Sequence, residues 1–218
     1  MIAVAARWLL PLFAAWLDRR YGVALADYQA LATSTFVVLT NPMILGAVVG
    51  LLLLDEQDEG SLTALRVTPL GMARYIAWRT AAPVALCMAF SFASVVIVAP
   101  VFEAPPPGPL AMLAVAFLAA LGTPLMALAV ASVATNKVEG LAVIKGLGFL
   151  ILAAFIAWWV PWPWRWLFGL FPTWWPTEAY WRFAGEPGPG GPWLVWGLGL
   201  VVHAALLWAL GRRFARRV

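Results

Sequence analysis

The sequence has few charged residues and a single cysteine. Asp, Glu, Lys and Arg make up 11% of the 218 residues, while 64% are apolar; a typical soluble domain is about 25% charged. So few charges cannot cover the surface of a soluble protein, and they exclude a disordered or coiled-coil chain. Because Cys87 is alone, an internal disulfide and a multi-cysteine metal site are also excluded. This composition fits a lipid bilayer as the solvent.

Motifs for catalysis and nucleotide binding are also missing. No G-x-x-x-x-G-K-[ST] stretch is present to cradle phosphates, so the chain cannot hydrolyse ATP by itself. One histidine, His203, and one cysteine do not make a metal site or a Cys/His pair. We therefore expect no catalytic residue, no cofactor and no metal.

Six apolar runs predict an all-α, polytopic membrane protein with one permease-like domain over residues 1–218. A helix needs about 20 apolar residues to cross the hydrocarbon core. The predicted spans are 2–17, 35–54, 81–102, 110–135, 141–160 and 193–210. Thr123-Pro124 predicts a kink in the fourth span. Gly46-x-x-x-Gly50 in the second span favours close packing within the chain over a dimer face.

The distribution of Lys and Arg predicts that both termini are cytoplasmic. Six spans put both termini on one side, which then holds nine basic residues, against four on the other side. The nine are Arg66, Arg74, Arg79, Lys137, Lys145, Arg212, Arg213, Arg216 and Arg217. Arg7, inside the short first run, is interpreted as the cytoplasmic edge of that span.

The predicted spans contain no carboxylate, which disfavours a proton-coupled carrier and an intramembrane enzyme. His203, inside the last span, is expected to be neutral and bonded to a neighbouring helix. The outer segment FPTWWPTEAYWRF could form a short interfacial or re-entrant helix. Within it, Glu178 and Arg182 are spaced i, i+4 and are interpreted as a surface pair worth a few tenths of a kcal/mol.

The segment after the second span, residues 55–70, reads DEQDEGSLTALRVTPL. Four carboxylates end the apolar run, Gly60 allows a turn, Ser61 is a candidate N-cap, and Thr68-Pro69 stops a helix. We expect a short helix from Ser61 to Thr68 along the membrane surface. Two interpretations remain open: an ordinary solvated turn between two spans, or a docking element through which a partner pushes on the membrane helices.

The stretch LLLLDEQDEGSLTALRVTPLGMARYIAWR resembles the signature of type-2 ABC exporter permeases, among them the fluoroquinolone-export permease subunits. In that family an acidic run, Glu-Gly-Ser/Thr, Leu-x-x-Leu and Thr-Pro-Leu follow the second span. NKVEG at 136–140 and PTWWP at 172–176 resemble two further family segments. The positions assigned to coupling with an ATPase are Glu59, Gly60, Ser61, Leu62, Leu65, Arg66, Thr68 and Pro69. Arg66 stands where an apolar residue is common in the family.

The resemblance implies a permease subunit of an ATP-driven exporter in a bacterial inner membrane. A separate cytoplasmic ABC ATPase and a second permease copy are the implied partners, besides the bilayer; no nucleic acid is expected. ATP would favour one of two states of the spans, and amphipathic or hydrophobic drug-like molecules would leave the cell by alternating access. The alternatives are a membrane assembly or structural protein and an intramembrane enzyme without an ATPase.

Overall fold

A computed structural model describes residues 2–60, 72–102 and 105–217. Apart from turns and connecting loops, the described residues form helices. The main helices are α1 (Ile2–Tyr21), α2 (Leu25–Asp58), α3 (Met72–Val98), α4 (Pro109–Val133), α5 (Lys137–Trp159), α6 (Trp174–Phe183) and α7 (Pro192–Arg217). A 3₁₀ helix, Trp164–Leu170, lies between α5 and α6.

Five helices are long and apolar enough to cross a membrane: α2, α3, α4, α5 and α7. They correspond to the last five predicted spans. The predicted first span also forms a helix, α1, but it is not among the five. Arg7 near its start, and Asp18, Arg19 and Arg20 at its end, interrupt its apolar character.

Two proline residues shape the long helices. Pro124 has no N–H to give to the carbonyl of Ala120, and α4 is interrupted at Leu121 between Pro109–Ala120 and Gly122–Val133. This interruption lies one turn before the predicted kink at Thr123-Pro124. Pro42 likewise cannot donate to Val38, and α2 widens into π-helical geometry over Thr33–Val38.

Helices α2 and α4 pack closely through glycine. A Cβ built on Gly46 would lie 2.5 Å from Met126 Cβ and 2.8 Å from the Thr123 carbonyl oxygen. A Cβ on Gly50 would lie 3.0 Å from Val130 Cβ. The prediction that this glycine pair serves packing within the chain is confirmed, since the two glycines let the backbones approach.

Helix α6 returns into the bundle. All nine residues from Trp174 to Arg182 are buried, and the helix contacts α2, α4, α5 and α7. Its aromatic residues Trp174, Tyr180 and Trp181 belong to the main hydrophobic core, together with Leu118 of α4 and Val195 of α7. The helix is therefore packed inside the bundle and not on its surface.

The bundle has two distinct ends. We call the end that holds residues 55–60, Arg79 and Lys137 the Asp55 end. Arg79 lies near the start of α3, whereas Ile97 lies near its finish, about 27 Å away at 1.5 Å per residue. Arg7 Nη1 donates to the carbonyl oxygen of Ile97 at 3.1 Å. The expectation that Arg7 lies at the same end as residues 55–79 is therefore wrong: Arg7 lies near the opposite end.

Candidate functional site

Ion pairs tie three helices together at the Asp55 end. Lys137 Nζ at the start of α5 lies 2.7 Å from Asp55 Oδ1, and Arg79 Nη2 on α3 lies 2.9 Å from Glu56 Oε1. The Tyr75 hydroxyl also donates to the Glu56 carboxylate. Gln57 Nε2 donates to the carbonyl of Ala131 on α4 at 3.3 Å. The last turn of α2 is thus bonded to α3, α4 and α5.

Helix α2 ends at the two predicted coupling residues that the structure describes. The Glu59 amide donates to the Asp55 carbonyl at 2.9 Å, and the Gly60 amide donates to the Gln57 carbonyl at 3.1 Å. Gly60 has φ +73°, a left-handed conformation that glycine adopts without steric cost. Both residues are exposed. Gly60 therefore ends α2 in a turn that a residue with a side chain would adopt only with strain.

The remaining predicted coupling residues lie outside the described residues. They are Ser61, Leu62, Leu65, Arg66, Thr68 and Pro69. The predicted helix from Ser61 to Thr68 lies there as well, so it stays a prediction. The described residues on either side of this segment are Gly60, which follows α2, and Met72, which begins α3.

The turn between α4 and α5 lies at the same end and is fixed by side chains. Asn136 Oδ1 accepts from the Glu139 amide at 3.0 Å and caps α5. Glu139 Oε2 in turn accepts from the Thr135 amide and hydroxyl, both at 2.7 Å. This reciprocal arrangement closely follows a capping box. It holds Lys137 in place beside Asp55.

A second cluster of charge is buried around α6. Glu178 Oε1 accepts from Arg182 Nε at 2.7 Å, and Arg182 Nη2 donates to the Pro189 carbonyl at 3.0 Å. The side chain of Glu178 has 0% exposure and that of Arg182 has 4%. The interpretation of this pair as a surface pair is wrong. Because α6 is buried in the bundle, the Glu178–Arg182 pair on this helix is buried as well.

Arg165 and Trp162 complete this cluster. Arg165 Nη1 lies 3.9 Å from Glu178 Oε2, and the ring of Trp162 has the guanidinium carbons of Arg165 and Arg182 each 5.2 Å from its centroid. Arg165 also donates to the carbonyls of Val160 and Trp158. Burial raises the pKa of Glu178, and the two arginines oppose that rise. The cluster joins α6 to the end of α5.

His203 lies on α7 beside a cavity of about 200 Å³ between α2, α4, α5, α6 and α7. Its Nδ1 lies 2.8 Å from the carbonyl oxygen of Gly199, one turn earlier in the same helix. Because a carbonyl only accepts, Nδ1 carries the proton of this bond. The expected bond to a neighbouring helix is wrong, since the partner is the helix's own backbone. The cavity lining is almost wholly apolar.

Sequence reasoning missed the ion pairs of Asp55 and Glu56 and the burial of Glu178. The four carboxylates of the acidic run look alike in the sequence, yet the first two are half-buried and paired while Asp58 and Glu59 are exposed. Helical spacing alone cannot tell the paired carboxylates from the exposed ones, because the partners lie on α3 and α5. Among the described residues, no group of three or more His, Cys, Asp and Glu is placed to hold a metal ion.

Comparison with known proteins gives one consistent result. The family model described as "Fluoroquinolones export permease protein Rv2686c-like" matches residues 1–211. Two curated relatives from Mycobacterium tuberculosis are 34% identical over 208 residues, which is 94% of this chain and 80% of each relative. They are fluoroquinolones export permease protein MT2760 of strain CDC 1551 / Oshkosh and Rv2686c of strain ATCC 25618 / H37Rv. No solved structure matches the chain with statistical significance.

The match covers nearly the whole chain, including the acidic run, the α4–α5 turn and α6. Together with five helices able to span a bilayer, it makes the chain a multi-pass membrane protein. The protein belongs to the Rv2686c-like family of fluoroquinolone export permease proteins.

Proposed function

We propose that the chain is the membrane-spanning permease subunit of an ATP-driven exporter. Its substrate class is an amphipathic or hydrophobic drug-like molecule, in keeping with the names of its relatives. A separate ABC ATPase supplies the energy from the cytoplasm, and a second permease subunit completes the path. The protein lies in a bacterial inner membrane with the Asp55 end and the C-terminus in the cytoplasm.

The observation that best supports this proposal is the set of ion pairs at the end of α2. Asp55 and Glu56 connect α2 to α5 and α3 by direct ion pairs. The chain then leaves α2 at Gly60 toward the segment that resembles a coupling helix. A force applied to residues 61–68 would therefore reach three spans together, as a rigid-body switch between two states requires. An ordinary solvated turn needs no such attachment.

The buried carboxylate of Glu178 does not favour a proton-coupled carrier. A proton relay needs a carboxylate that can release and bind its proton during transport. Glu178 is held by a direct hydrogen bond from Arg182 and lies near a second arginine. This arrangement suits a permanent structural link between α6 and α5. The energy source for transport is therefore expected outside this chain.

Co-purification tests the proposal. The tagged full chain is isolated from native membranes, and any P-loop ATPase that accompanies it is identified by mass spectrometry. We expect Glu59→Lys and Gly60→Pro to reduce ATPase recovery at least fivefold while membrane insertion stays unchanged. Gly22→Ala is the matched control, since Gly22 is also at positive φ with open surroundings but is distant in sequence. Undiminished recovery with both coupling variants would refute the docking role.

A further inference from the structure

An open groove runs between α3, α4 and α7 in the half of the bundle nearer the Asp55 end. Its volume is about 670 Å³. Residues in 76–84 of α3, 121–128 of α4 and 207–215 of α7 form its walls. At 1.5 Å per residue the α3 wall is about 12 Å long. Apart from Thr80 and Arg212, the side chains along it are apolar or aromatic.

Arg212 stands in the wall of this groove near the C-terminal end of α7. Its guanidinium carbon lies 4.7 Å from the centroid of the Trp208 ring, which holds the cation in place. No hydrogen bond or ion pair joins Arg212 to any residue in the described part of the chain. The N–H edge of its guanidinium therefore remains available to an anion. Thr80, by contrast, already donates its hydroxyl proton to the Ile76 carbonyl.

We propose that this groove binds an anionic phospholipid, with one acyl chain along its apolar walls and the phosphate at Arg212. The helices that form the groove are three of the five able to cross a membrane, so we expect its mouth to face the bilayer. An arginine fork matches phosphate oxygens in two parallel hydrogen bonds. Basic pockets between membrane helices recognise anionic head groups in this way.

Charge argues against a second copy of the chain as the occupant. A two-fold symmetric contact brings the same patch of both subunits together. Here it would bring the exposed Arg212 of the groove, with Arg216 one turn later on α7, close to the same residues of the other copy. Such like charges repel, whereas an anionic head group neutralises them. The groove thus fits a lipid better than another subunit.

Native mass spectrometry of the full chain in detergent tests this proposal. The probes are phosphatidylglycerol and phosphatidylcholine with identical acyl chains. We expect the wild-type protein to prefer phosphatidylglycerol, and Arg212→Gln to weaken that binding about fivefold, the effect of one basic residue at an anionic lipid surface. Arg213→Gln is the matched control, because Arg213 is exposed but does not line the groove. It should change the affinity less than twofold.

A third variant tests the apolar walls of the groove separately from the charge of Arg212. Ala77→Phe narrows the apolar walls and leaves Arg212 in place, so it should also weaken phosphatidylglycerol binding. Equal binding of the two lipids by the wild type, or equal losses in Arg212→Gln and Arg213→Gln, would overturn the proposal. The proposal would also be overturned if the Ala77→Phe variant lost dimerisation but kept its lipid binding. That result would assign the groove to a second copy of the chain.

Discussion

Arg182 donates its Nε proton to Glu178 Oε1 at 2.7 Å, one turn apart on α6, and both side chains are buried in the bundle. Arg165 faces the other carboxylate oxygen at 3.9 Å. Two arginines around one carboxylate keep α6 attached to the end of α5. This attachment allows a strongly amphipathic helix to lie inside an otherwise apolar protein.

Removing the arginine should destabilise the protein strongly. Arg182→Gln leaves the Glu178 carboxylate buried with only the distant Arg165, and breaking a buried pair in this way costs about 3–5 kcal/mol. Arg182→Lys keeps the charge and should recover part of that loss. The measurement is the free energy of unfolding in detergent micelles titrated with a denaturing detergent. Glu186→Gln, a change at a half-exposed neighbouring carboxylate, should shift it by about 0.5 kcal/mol or less.

The buried carboxylate should also give the stability a pH dependence. Burial raises the pKa of Glu178 in the folded protein above its ordinary value of 4.5. The folded state therefore holds the proton more tightly than the unfolded chain does. The resulting stability is fully present below pH 4.5 and is lost as the pH rises through the raised pKa.

Thermal unfolding at pH 4 to 7 measures this dependence, with Glu178→Gln as the reference that cannot titrate. We expect the Tm of the wild type to fall relative to that of the variant as the pH rises. A wild-type Tm that gains on the variant with rising pH would mean that the two arginines, not burial, dominate the pKa of Glu178.

The glycine contact between α2 and α4 should tolerate no side chain. In Gly46→Ala the new Cβ would lie 2.5 Å from Met126 Cβ and 2.8 Å from a backbone oxygen that cannot move aside. We expect a loss of about 1–3 kcal/mol. The matched change Gly197→Ala, in α7, meets nothing within 4 Å and should be neutral or stabilising by up to about 1 kcal/mol. Equal effects of the two changes on the unfolding free energy would contradict the close packing.

Hydropathy predicted the long helices well but missed the start of α3. The third predicted span starts at residue 81, whereas α3 begins at Met72. Its first turns contain Arg74 and Arg79, which lower the apolar character of the window, yet Arg79 is paired with Glu56 and stays within the helix. The burial of the charged pair on α6 was missed for a similar reason. Glu178 and Arg182 look like surface residues in the sequence, because their burial depends on a pairing that only the folded chain provides.

For the segment that resembles a coupling motif, the local structure was predictable from the sequence, but its contacts with other helices were not. The acidic run predicted the end of α2 within a few residues, and Gly60 adopts the turn that its position suggested. Hydropathy could not indicate that Asp55 and Glu56 bind Lys137 and Arg79, because those partners lie on other helices. Which helices the acidic run is bonded to is therefore a property of the fold, whereas the motif itself is visible in the sequence.

Site-specific photo-cross-linking tests the central claim most directly. A photoreactive amino acid is placed at Leu65, within the proposed coupling segment, and in a separate variant at Leu170, which is 81% exposed in the connection between α5 and α6, away from the Asp55 end. In native membranes we predict that Leu65 traps a P-loop ATPase and that Leu170 does not. An ATPase that co-purifies with the chain but cross-links from Leu170 and never from Leu65 would contradict the account.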